Sequence, residues 1–124
     1  MKIVCSVLLI LALVAVCVFG CAFTKSTLNV QYTADNAQKG PLSTIEPLSI
    51  ELGDFTDKRK DTVRIGFKRS GYGQQTADIV SARSVSEVVK DAHAAELAAN
   101  GHVFNRDPKN VVLTGAVTSF WFDY

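Results

Sequence analysis

Cysteine and histidine are scarce in this 124-residue sequence, which contains three cysteines and two histidines. Cys5 and Cys17 lie inside an apolar run that we expect to be removed, which leaves Cys21 as the last cysteine. The folded part therefore has no cysteine pair for a disulfide, although an extracytoplasmic compartment would permit one. His93 and His102 are too few to form a zinc site without a cysteine.

The sequence also lacks an excess of charge of either sign. Of the 13 lysines and arginines only Lys2 precedes Cys21, so the rest of the chain balances its 12 acidic residues. A nucleic-acid partner calls for a basic face, and a membrane-surface patch calls for clustered lysine and arginine. The charge balance excludes both classes of partner from the prediction.

Catalytic motifs are missing as well. The glycine spacing from Gly66 to Gly71 is that of a phosphate loop, but Tyr72 and Gly73 follow where lysine and serine or threonine are required. The segment Asp54–Asp61 is acidic, yet three basic residues interrupt it and its spacing does not fit a calcium loop. No serine lies in a nucleophile elbow. We predict that the protein is not an enzyme and binds no metal or dissociable cofactor.

An apolar run at the amino terminus is the strongest positive signal. Lys2 is followed by apolar residues from 3 to 19, and Gly20 and Cys21 close the run. This pattern is typical of a bacterial lipoprotein signal that is cleaved between Gly20 and Cys21, after which Cys21 carries a covalent lipid. The alternative is an uncleaved membrane helix, for which 17 residues are at the short limit. An aspartate directly after the lipidated cysteine commonly retains a lipoprotein in the inner membrane. Residue 22 is alanine, so we expect the protein at the periplasmic face of the outer membrane.

The chain divides into three predicted parts. Residues 1–20 are the signal peptide, and residues 21–45 are the lipidated cysteine with a polar, flexible tether. Residues 46–124 form a periplasmic domain, which the long apolar strand near Tyr124 predicts to be incomplete at its carboxy terminus. About 100 residues make one small domain.

Alternating apolar residues predict strands on either side of a polar turn. Leu48–Leu52 and Val63–Phe67 both have period two, and we expect them to pair as a hairpin. A third short strand is expected over 77–82. The stretch Val111–Phe122 is apolar on both faces, which predicts a central strand covered by a helix.

Ser84 begins the clearest helical pattern. Ser84 and Glu87 fit a capping box, and Gly101 suits the left-handed position after the helix. His93 is expected at the rim of the helix face, and His102 near the carboxy-terminal end of the helix dipole. Together these elements predict an α+β fold, with a small antiparallel or mixed sheet and one main helix packed on one face.

Several segments together resemble a known family. They are Cys21–Phe23, Leu52–Asp57, Ile65–Gly66 with Gly71–Gly73, and Val85–Gly101 followed by Val111–Trp121. This order resembles the YajG-type family of uncharacterised bacterial lipoproteins, and more widely the TolB-amino-terminal and curli-assembly-like envelope domains. The resemblance implies an outer-membrane lipoprotein without catalytic residues.

Two functions remain open from the sequence. The first is a non-enzymatic module that binds an envelope protein or cell-wall machinery, for which Gly71, Tyr72 and Gly73 form a possible recognition loop. A possible partner surface consists of aromatic residues near the end of the chain, which are Phe120, Trp121, Phe122 and Tyr124. The second is a carrier of lipid or another small ligand, which needs a pocket between helix and sheet where Ala92, Ala95 and Ala99 leave room. Self-association through the last strand is also expected.

Overall fold

The computed structural model describes residues 24–33 and 39–123, with the side chain of Asp123 excepted. The chain forms two compact units. Within the described residues, the first unit combines 24–27 with Arg64–Val80 and 121–123. The second unit combines Leu28–Val63 with Ser81–Phe120. The predicted signal peptide, with Gly20 and Cys21, lies outside the described residues, as does Tyr124.

Seven strands and one α-helix are assigned within the described residues. The strands are β1 (Ser26–Leu28), β2 (Ser49–Asp57), β3 (Arg64–Arg69), β4 (Gln75–Ser81), β5 (Val103–Phe104), β6 (Val111–Val117) and β7 (Phe122–Asp123). The helix, α1, spans Val85–Ala99, and a short 3-10 helix spans Pro41–Thr44. These elements confirm the predicted α+β class.

A mixed sheet with the order β1-β4-β3-β7 contains the strands of the first unit. β3 pairs antiparallel with β4 and parallel with β7. The buried apolar side chains of this unit are Ile65, Ile79 and Val80. A β-carbon at Gly66 would overlap the carbonyl oxygen of Phe122, so the close approach of β7 requires glycine at this position.

A parallel sheet with the order β5-β2-β6 forms the second unit together with α1. β2 is central, and it pairs parallel with both β5 and β6. α1 contacts all three strands. The buried apolar residues of this unit are Ile50, Val85, Val88 and Val117.

The expected hairpin between the first two predicted strands is wrong. The strand that contains Leu48–Leu52 is β2, whose two edges are occupied by β5 and β6, whereas β3 pairs with β4 and β7. Alternation shows that a strand has one buried face, but it carries no information about which strand lies beside it. Pairing of β2 is set by the chain that returns through α1, which favours parallel neighbours.

The expected central strand at 111–122 is also wrong. This stretch forms two strands, and β6 lies at an edge of its sheet while β7 belongs to the other sheet. Val112 is 60% exposed, so most of its apolar side chain is uncovered. Apolar residues on both faces of a strand usually indicate that both faces are covered. Here β6 is an edge strand, and Val112 on one of its faces is exposed.

The capping box expected at Ser84 does not form. Ser84 is the N-cap residue, but its side chain makes no capping hydrogen bond, and its hydroxyl lies 2.7 Å from the hydroxyl of Ser86. Two adjacent serine hydroxyls satisfy each other in this geometry, which removes the Ser84 oxygen from the helix amides. The position of the helix start is correct, although the cap that predicted it is absent.

A buried ion pair closes the end of β2. The guanidinium group of Arg59 donates to both carboxylate oxygens of Asp57, at 2.8–3.1 Å, and the Arg59 side chain is only 4% exposed. It also donates to the carbonyl oxygens of Thr62 and Phe120. The hydrogen bonds from Arg59 hold the pKa of Asp57 below its ordinary value of 3.8.

Candidate functional site

An apolar cavity of about 540 Å³ lies within the second unit, between α1 and the parallel sheet. This volume is in the range typical of small-molecule sites. Its lining is contributed by a segment before β2, by the sheet and by one face of α1. These residues are Gly40, Pro41, Leu42, Ile45, Leu48, Ile50, Ala92, His93, Glu96, Leu97, Asn100, His102, Val111 and Leu113. We call it the first cavity.

The end of α1 turns the chain sharply into the wall of this cavity. Gly101 has φ +96°, the conformation that ends many helices. Its amide donates to Ala98 O at 3.0 Å, and the amide of His102 donates to Leu97 O at 3.1 Å. These two bonds are those of a Schellman motif, and they place the residue after the glycine directly against the sheet. The glycine therefore positions His102.

His102 is 4% exposed and serves as a hydrogen-bond acceptor. Its Nδ1 accepts from the amide of Leu48 at 3.2 Å, which leaves Nε2 as the donor nitrogen of the ring. The ring lies just after the carboxy-terminal end of α1, as expected, where it accepts from Leu48. The Nε2–H has no hydrogen-bond partner among the described residues, and the ring lines the first cavity.

The segment that covers one side of the first cavity is tied to α1 by Asn100. Asn100 Oδ1 accepts from the amide of Gly40 at 2.8 Å, while Asn100 Nδ2 donates to Glu96 O at 2.8 Å. The 3-10 helix that follows Gly40 brings apolar side chains to the cavity. Leu42 and Ile45 are 48% and 47% exposed, which makes the first cavity an open cleft rather than a sealed core void.

Glu96 is the acidic group of the lining. It accepts a hydrogen bond from the hydroxyl of Tyr32. Because Asn100 is committed to Gly40 and to the helix backbone, the polar groups of the first cavity are largely paired within the protein. The ring of His102 lines the first cavity, and the carboxyl group of Glu96 opposes a ligand with negative charge.

A second cavity, of about 280 Å³, adjoins the first within the same unit. Val89 and His93 of α1, Phe55 of β2 and the stretch 113–119 line it. His93 and Leu113 line both cavities. The expected position of His93 at the rim of the helix face agrees with its exposure.

Of the three alanines expected to leave room for a ligand, Ala92 lines the first cavity, whereas Ala95 and Ala99 do not. Sequence reasoning missed Leu42 and Ile45, because they lie in the stretch assigned to the tether. Gly40 and Pro41 are also typical of a flexible segment, which is how the sequence predicts this stretch. Proline at the start of a short helix and two aliphatic residues nearby were the signal that this stretch packs on the domain.

The predicted recognition loop is a tight turn between β3 and β4. The amide of Gly73 donates to Ser70 O at 2.8 Å, and Gly73 has φ +78°. Gly71 needs no such conformation and has open space around it. Tyr72 is 96% exposed at the tip. The loop is thus an ordered turn that presents one tyrosine, and its role in recognition stays a prediction.

The residues of the predicted aromatic surface differ in their surroundings. Trp121 and Phe122 are 46% and 38% exposed, and Trp121 packs edge-on against Phe67 with ring centroids 5.2 Å apart. Phe120 is half-buried, and Tyr124 lies outside the described residues. The structure leaves part of the tryptophan ring accessible.

Two negative findings concern residues 24–33 and 39–123. Within them, His, Cys, Asp and Glu form no group of three or more that could hold a metal ion. The helices in this part of the chain are too short or too polar to cross a membrane.

Comparison with known proteins adds no relative. No protein-family model matches the chain, and neither a curated protein nor a solved structure is significantly similar to it.

Proposed function

We propose that the protein is a lipid-anchored envelope protein whose second unit binds the hydrocarbon part of a small amphipathic molecule. The observation that carries this proposal is the first cavity, with about 540 Å³ between α1 and the parallel sheet. Of the two functions left open by the sequence, the carrier of a small ligand is the one that requires such a pocket.

The chemistry of the lining defines the class of ligand. Aliphatic residues from three elements favour a hydrocarbon chain, since each buried methylene group contributes about 0.8 kcal/mol. The Nε2–H of His102 suits a hydroxyl or carbonyl oxygen on the ligand, and Glu96 disfavours a carboxylate. A neutral long-chain alcohol or ester meets all three conditions.

Photo-crosslinking tests the proposal on the full-length protein in membranes. The probe is a long-chain alcohol that carries a diazirine and an alkyne, and labelled peptides are identified by mass spectrometry. We expect labelling of peptides that contain Leu48, Ile50 or Leu97.

Two phenylalanine variants provide the comparison. Ala92→Phe fills the first cavity and should reduce labelling to background. Ala98→Phe is the matched control, because Ala98 is exposed on the same helix and does not line the cavity. Wild-type protein that is not labelled at the cavity, or equal labelling of both variants, contradicts the proposal.

The anchor is proposed from the sequence. Cleavage before Cys21 and lipid attachment would hold the protein at the outer membrane on its periplasmic face, as in the YajG-type family that the sequence resembles. One acyl chain gives only marginal membrane binding, so two or three chains are needed. Replacing Cys21 with serine should leave an unprocessed precursor. A Cys21→Ser protein with the mature mass and membrane fractionation of wild type would refute the anchor.

A second candidate function is binding of an envelope protein through the first unit. The partial exposure of Trp121 and Phe122 supports it, because aromatic anchors dominate many protein interfaces. The test is crosslinking in cells with a photoreactive amino acid in place of Phe122. A specific adduct that disappears in Trp121→Ala supports this function, and the absence of any adduct opposes it.

A further inference from the structure

The two cavities of the second unit follow one another along the same pair of elements. The first is lined by the carboxy-terminal half of α1 and by the start of β6, whereas the second is lined by Val89 and by the rest of β6. His93 and Leu113 belong to both linings. The cavities are therefore arranged in line, with one helix side chain and one strand side chain between them.

The His93 ring is held in this position from two directions. A carbonyl oxygen can only accept, so His93 Nδ1 carries a proton and donates to Val89 O at 2.8 Å. The ring also meets Phe55, with centroids 5.6 Å apart and planes inclined by 55°. These two contacts hold the exposed His93 ring in the place where it lines both cavities.

The sequence explains why the His93 ring lies beside Phe55. Phe55 pairs with Gly115 after an irregularity in which β2 uses one more residue than β6. The absence of a β-carbon at Gly115 lets the Phe55 ring lie over β6, where it meets His93. Thus the glycine, the bulge and the histidine form one structural arrangement.

We infer that His93 sets the length of the hydrocarbon chain that the site accepts. This inference rests on the proposed function. A straight chain that fills the first cavity meets the imidazole ring and stops, although about 280 Å³ of further space lies beyond it. Two cavities in line fit an unbranched chain, because such a chain can extend from one into the other. A compact ring system of the same volume would fill only the first cavity and would bury no further surface in the second.

The test is competition by straight-chain alcohols from octanol to octadecanol against the photoreactive probe, with full-length protein. In wild type, apparent affinity should rise with chain length until the first cavity is full and then level off. In His93→Ala the rise should continue, and two further buried methylenes correspond to about tenfold tighter binding. Ratios of variant to wild type at each length remove the effect of membrane partitioning.

Leu97→Ala is the matched control, since Leu97 lines the first cavity and not the second. It should weaken all chain lengths by a similar factor without moving the point at which affinity levels off. If His93→Ala and wild type level off at the same length, the role of His93 is refuted while the binding site stands. If neither protein is protected by any alcohol, the proposed function fails together with the inference.

Discussion

The ring of Phe55 lies over the α-carbon of Gly115. A β-carbon built at position 115 would be 2.6 Å from both Cδ1 and Cε1 of that ring, closer than real β-carbons approach. The ring is part of the second unit and lines the second cavity, so it cannot move without disturbing its contact with His93.

Replacing Gly115 with alanine should therefore destabilise the protein. Overpacking of this kind costs about 1–3 kcal/mol, and chemical denaturation measures it. Gly71→Ala is the matched control, because a β-carbon at Gly71 meets nothing within 4 Å and should change the free energy of unfolding little. Equal stability of the two variants would mean that Phe55 does not occupy this position.

Stability in acid should depend on Asp57. Its pKa is lowered in the folded protein, so the stabilisation is complete above the ordinary value of 3.8 and is lost as pH falls through the lower folded-state value. Asp57→Asn removes the carboxylate that pairs with the buried guanidinium group of Arg59 and should cost about 3 kcal/mol at neutral pH. It should also flatten the pH dependence in that window.

The control for this ion pair is Asp78→Asn. Asp78 lies 3.8 Å from Arg64, and both side chains are substantially exposed. An exposed pair contributes about 0–1 kcal/mol, so this variant should stay close to wild type. Unfolding followed across acidic pH distinguishes the two, and a larger loss in Asp78→Asn would be inconsistent with the burial of Arg59.

Removing the Asn100 side chain should loosen the segment that covers the first cavity. Asn100→Ala takes away the acceptor for the Gly40 amide, a bond worth about 1 kcal/mol. Hydrogen exchange of the amides from Gly40 to Thr44 should then accelerate several-fold, while those of the Ser70–Gln74 turn stay unchanged. Unchanged exchange at Gly40 would show that other contacts hold the segment.

No strand of the described residues pairs with the outer edge of β6, and this edge should promote self-association. Val112 is 60% exposed on this edge strand, and unpaired strand edges accept other strands. Val112→Lys should reduce association in sedimentation experiments. Val63→Lys provides the comparison, because Val63 is 67% exposed but lies outside the strands. Monomeric wild-type protein at tens of micromolar would rule out the association.

Local signals in the sequence predicted much of the fold. The apolar spacing and Gly101 located α1 and its end, because a helix end is determined by a few neighbouring residues. Strand pairing was beyond reach, since β2 meets β5 and β6 only after the chain has passed through α1. The edge position of β6 was missed for the same reason.

The candidate site was less accessible to sequence reasoning than the fold. Ala92 was named for leaving room, but Leu42 and Ile45 reach the cavity only because Asn100 binds the Gly40 amide. The acceptor role of His102 follows from Leu48, which is 54 positions away. Such contacts depend on tertiary structure, and no short pattern encodes them.

The central position of β2 has a consequence for the order in which the chain can fold. Its register with β6 joins Ile50 to Val111, so the parallel sheet closes only after the chain has been made as far as β6. Contacts this distant in sequence slow folding. We expect refolding on a millisecond-to-second scale in stopped-flow fluorescence, and microsecond refolding would contradict this. If the protein is exported as we propose, a nascent chain of this kind would remain open to a machinery that threads unfolded polypeptides.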